Sequence, residues 1–173
     1  MRTFLLFLSI VFAHQSFAQV PAAMPPDADA FYKNAMPIIN PQLKNVIIKS
    51  ASILKNQQVN GDSLIKALHS NPFLKGMSDE NIVAISTLIM VQASKDADED
   101  LKKMVLSMKG GNETETVSNT KGTDKKESSQ EINDRKQLML QMIMNRKSKM
   151  AEEISLVIKE IYGNRENIIN NLK

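Results

Sequence analysis

Cysteine is absent from all 173 residues. No disulfide can staple the chain, so a domain of this size must hold itself by burying an apolar core. No thiol is available as a nucleophile or as an attachment atom for a thioether-linked lipid. Tryptophan is absent too, and aromatic residues make up only 5% of the chain. Platforms on which bases could stack are therefore scarce. Lys and Arg number 22 against 19 acids, a small excess, and nucleic acid is not an expected partner. Alternating apolar and polar runs, the mark of a half-buried strand, are missing as well. An all-α fold is what remains.

Arg2 precedes the apolar run FLLFLSIVFA, residues 4–13, followed by HQ and the small-residue site Ser16, Phe17, Ala18. A charged start, a short apolar stretch and a small-residue site are the parts of a secretory signal peptide. The run is too short to span a bilayer, which takes about 20 residues. Residues 1–18 are expected to be removed, with Gln19 the mature start and the protein secreted or periplasmic. His14 leaves with the signal, so His69 is the one histidine of the 155 residues that remain.

Five prolines fall between Val20 and Pro41, and proline lacks a backbone donor and restricts its predecessor. Residues 19–40 thus read as an extended Pro-rich arm with at most a turn around 29–34. Asn40 then Pro41 is an N-cap followed by a first-turn proline, opening a helix with Leu43, Val46, Ile47, Ala51 and Leu54 on one face. Asp62 is expected to cap a second short helix that Asn71 and Pro72 stop, with Phe73 and Leu74 turning into the core.

Ser78 caps a long helix of about 78–109, with Asp79 and Glu80 where the helix dipole favours acids. Its stripe is Ile82, Ile85, Ile89, Ala93, Ala97, Leu101, Met104 and Met108. Residues 110–130 hold one large aliphatic, Val117, too little to offset the entropy of ordering, and read as a disordered linker. A second long helix follows over about 131–162, with a last turn or two through Ile168, Ile169 and Leu172. The expected architecture is a small helical bundle in which 131–173 packs on 41–109, the long helices forming an antiparallel, coiled-coil-like pair and two short helices completing it.

Three motifs invite chemistry. GDSL, residues 61–64, resembles the nucleophile block of the GDSL (SGNH) esterases and lipases, which implies a serine nucleophile at Ser63 after a strand and a DxxH block near the C-terminus. No histidine lies beyond His69 and no strand pattern precedes Gly61. On one helix, Ser63 and His69 would stand about 9 Å apart along the axis, where proton transfer needs roughly 3 Å. No catalytic residue is assigned and no enzyme is expected. Asp96, Asp98 and Asp100 imitate the first half of a calcium loop, yet Leu101 and Ser107 occupy the places of its glycine and last carboxylate. Pairing of Asp98 with Lys102 and of Glu99 with Lys103 at i,i+4 explains that run as a solvated face. Asn112, Glu113, Thr114 form a glycosylation sequon, and Asp62, Ser63, Leu64 resemble an O-glycan acceptor signal of exported bacterial proteins.

LMLQMIM, residues 138–144, covers nearly the whole circumference of a helix with apolar side chains. One face, Met139, Ile143, Met150, Ile154, Val157 and Ile161 with Lys147 interrupting, belongs against the first long helix. The rest is expected to bury against the short helices. The alternative use is a surface for a protein partner or a second copy, carried by Leu138, Met142, Met144, Arg146 and Lys147, because flexible methionines adapt to varied shapes. Two further readings stay open. Met139, Met142 and Met144 could ligate a soft metal such as Cu(I), or Arg146, Lys147 and Lys149 could hold the run to a lipid surface. No resident cofactor is expected.

Overall fold

Proline placement decides the first element. A computed structural model describes residues 23–57, 60–109 and 129–173. The expected signal peptide, most of the linker and the Asn112 sequon lie outside them. Helix α1, Pro26–Ala35, occupies the proline-free interval that had read as extended arm. Its prolines flank the helix: Pro26 sits in the first turn, where a missing donor costs nothing, and Pro37 follows the end. Asp27 and Asp29 stand in the first turn, and Lys33 pairs back to Asp29 at 2.6 Å. Ala28, Phe31 and Ala35 are buried at helical spacing.

Helix α2, Pro41–Leu54, starts as expected, the Asn40 side chain accepting from the Gln42 N–H at 2.8 Å, and buries Leu43, Ile47, Ala51 and Leu54. Helix α3, Gly61–His69, is capped by Asn60 rather than Asp62: the Asn60 carbonyl oxygen accepts from the Ser63 N–H at 3.0 Å. A cap must precede the helix, and Asp62 is already inside its first turn. A 3-10 turn, Pro72–Leu74, follows, its Leu74 buried. Phe73 stays 47% exposed, against expectation, because successive side chains of a 3-10 turn diverge by about 120° and burying Leu74 turns Phe73 outward.

Helix α4, Asp79–Lys109, is the axis of the molecule. The Ser78 hydroxyl accepts from the Asn81 N–H at 3.4 Å. The expected stripe is buried from Ile82 to Ala97, but so are Ala84, Leu88, Met90, Val91, Ser86, Thr87 and Ser94 on the other sides. Ser86 and Thr87 are accommodated by donating to the Val83 carbonyl, at 2.7 and 3.0 Å. Helices α1, α2, α3, α5 (Ser129–Tyr162) and α6 (Arg165–Asn171) all pack on α4.

Cross-links fix the directions. Lys147 of α5 reaches Asp98 at 2.5 Å and Asn164, just past α5, donates to Glu80 at 3.5 Å. The long pair is therefore antiparallel, as expected. Lys55 at the end of α2 bonds Asp100 at 2.8 Å, and the Asn40 N–H at its start donates to the Leu172 carbonyl at the α6 end. Asp29 of α1 bonds Lys95 at 2.7 Å, the Lys95 ammonium lies 5.1 Å from the Tyr32 ring centroid, and the Tyr32 hydroxyl hydrogen-bonds the Gln92 side chain.

These clamps predict a pH profile. Hydrogen bonds from Lys33 and then Lys95 hold the Asp29 carboxyl below its usual range, so its stabilisation is present above the ordinary aspartate pKa and lost as pH falls through the depressed one. The hydrogen bond to Asp100 raises Lys55, and burial raises Tyr32. Both contributions are full below the ordinary values, about 10 to 10.5, and are lost as pH rises through the raised ones. Thermal melts are expected to show a plateau from about pH 5 to 9, with falls on both sides. A melting point still rising above pH 10.5 would contradict the α2 and α1 clamps.

Candidate interaction surface: the projecting α4/α5 hairpin

Helix α2 ends at Leu54, level with Asp100. Beyond that level α4 continues for nine residues, 101–109, and α5 approaches it over 129–146, with no third described helix laid against them. At 1.5 Å per residue, α4 projects by about 13 Å and the α5 arm by roughly 27 Å.

This arm carries the apolar run 138–144, and its expected burial against the short helices does not occur. Leu138, Met139 and Met142 are 60%, 52% and 45% exposed, and Leu140, Ile143 and Met144 are half-buried. The core stripe of α5 holds at Met150, Ile154, Ile158 and Ile161 but lapses before Ile143. The reason is reach: α2 and α3 stop short of this level. Val105, Leu106 and Ile132 are exposed nearby, so six of the eleven large apolar side chains exposed among the described residues lie on this hairpin. It holds about a fifth of those residues, and scattered exposure would not concentrate so.

A groove of about 600 Å³ runs along one side of the hairpin. Ala97, Met104, Met139, Met142 and Ile143 line its apolar part. Lys55, Lys103, Lys136 and Arg146 line it with positive charge, against the single carboxylate of Asp100. Asn56 and Ser107 complete it.

The sequence-derived site residues divide. Leu138 and Met142 are exposed as a binding surface requires, and Met144 is half-buried away from the groove. Arg146 donates to the Lys55 carbonyl at 3.4 Å, at the end of α2 where the helix dipole is negative. Lys147 is bound to Asp98 with its side chain only 13% exposed. Of the three basic residues Arg146, Lys147 and Lys149, two are thus engaged within the molecule. The methionines regroup as well, Met104 joining Met139 and Met142 while Met144 lies apart. Lys136, Met139, Ile143 and Arg146 share one helix face at spacings of three and four. That spacing was visible in the sequence, but Lys103 and Met104 join it only through the α4 register.

The other motifs take structural partners. Asp96 accepts from the Gln92 amide at 2.7 Å, and Asp98 and Asp100 bind Lys147 and Lys55. The acidic run therefore ties α4 to α5 and α2 rather than forming a solvated face of i,i+4 pairs. Among the described residues no group of three His, Cys, Asp or Glu is placed to hold a metal ion. Ser63 lines a shallow groove with Ser50, Gln57 and Asn60, without an imidazole or carboxylate, while the His69 imidazole faces Asp79 at 3.6 Å. Among the described residues that line this groove, none can act as a base toward the serine. No described helix is long and apolar enough to cross a membrane. Comparison with known families, with curated proteins and with solved structures finds no match for the chain.

Proposed function

We propose that this is an exported, non-catalytic helical protein that works by protein–protein interaction, with the projecting hairpin as its docking surface. The observation that carries the reading is the exposure of Leu106, Leu138, Met139 and Met142 where no third described helix is laid against the long pair. Apolar patches of this kind, rimmed by polar residues, mark interaction sites more often than accidents of packing. Export is supported by the N-terminal charge, apolar run and small-residue site. A soft-metal role for Met139 and Met142 is disfavoured by the four cations sharing their groove, which repel any metal ion.

The test compares wild type with Leu138→Asp/Met142→Asp, measuring solution mass over a hundredfold dilution and cross-linked species in the native extract. The variant is expected to melt within about 2 °C of wild type, since both side chains are on the surface. It is also expected to lose the cross-linked or self-associated species. Early melting would place these residues in the core, and retained association would remove the hairpin as the docking surface.

A further inference from the structure

We propose that the groove along the α4/α5 hairpin receives an acidic amphipathic helix from a partner protein. The proposal rests on the hairpin being a docking surface and names what docks. From Lys136 to Arg146 the groove spans about 15 Å, close to three helical turns. That length suits a helix laying an i, i+3/i+4, i+7 stripe onto Met104, Met139 and Ile143, whose flexible side chains can shape themselves to it.

Charge selects the partner. Four cations face one carboxylate, and Asp100 is already bonded to Lys55. Lys103 and Lys136 have no ion-pair partner among the described residues. Their distribution matters more than their number. Lys136 lies toward the hairpin tip, Lys103 in the middle, and Arg146 with Lys55 at the bundle end. A lipid with one anionic head would use one end of such a row. Carboxylates repeated along a helix would use all of it. A second copy docked groove to groove would set like charges against each other, which disfavours self-association on this face.

The experiment titrates the chain, as recovered from an exporting host, with a labelled designed helix bearing one leucine stripe and glutamates elsewhere. Three further probes run beside it: the same helix with lysine for each glutamate, an acidic scramble lacking the stripe, and phosphatidylglycerol vesicles. The acidic helix is expected to bind saturably and to weaken with salt. Lys103→Glu/Lys136→Glu should weaken it about tenfold or more and strengthen binding of the lysine-bearing helix. Equal binding by the scramble, an unchanged affinity in the double variant, or displacement of the helix by vesicles would overturn the proposal. If only the lysine-bearing helix binds, and Met139→Asp abolishes it, the acidic partner is wrong while the docking surface stands. If no helix binds and Met139→Asp leaves the cross-linked species of the native extract unchanged, both fall.

Discussion

Ile85→Ala is expected to lower unfolding stability by about 3 kcal/mol, within the range of roughly 2 to 5 for buried aliphatic truncations, while Leu138→Ala changes it by less than about 0.5 kcal/mol. Ile85 is fully buried in the second turn of α4, the helix on which the other described helices pack, so a cavity left there has no easy route to collapse. Leu138 is mostly in water already, so its truncation removes little burial. Urea denaturation of the two variants reads the contrast directly, with midpoints shifting and the slope unchanged if two-state unfolding is kept. Equal losses would mean that the two long helices share the core evenly and that the hairpin is covered.

That contrast also shows where sequence pattern stops being informative. Residues 88–91, LIMV, and residues 138–144, LMLQMIM, present the same signal, apolar side chains all around a helix. The first lies at the centre of the fold and the second on its surface. Nothing within either run separates them. What does is how far the neighbouring helices extend, and α2 ends at a level no propensity rule predicts. The small residues Ala84, Ser86, Ala93 and Ser94 around the first run were a usable hint, since they let other helices approach closely.

Boundaries set by local chemistry were legible for the same reason that the topology was not. Asn40 with Pro41, Ser78 with its acidic first turn, and the all-α class follow from groups within a few residues of each other. Helix α1 was hidden by counting prolines instead of noting the gap between them, and its Asp29 and Tyr32 are held by Lys95 and Gln92, 66 and 60 residues away in sequence. The groove was half legible: one wall is a readable α5 face, and the other needs the register that sets Asp98 against Lys147.

The register can itself be tested at that pair. Lys147→Glu is expected to cost about 2 kcal/mol. Removing one partner of a fully buried ion pair costs roughly 3 to 5 kcal/mol, and the loss is smaller here because Asp98 is 42% exposed. Asp98→Lys alone places two cations together and should also destabilise. Combining Asp98→Lys with Lys147→Glu reverses the pair and should recover about half of the summed loss, the non-additivity expected of residues in direct contact. Chemical denaturation of the four proteins gives this coupling energy, and strict additivity would separate the two side chains and dissolve the register. Because the same register sets Lys103 and Met104 against the α5 wall, the reversed pair should also keep whatever binding the groove has, whereas Lys147→Glu alone should loosen it.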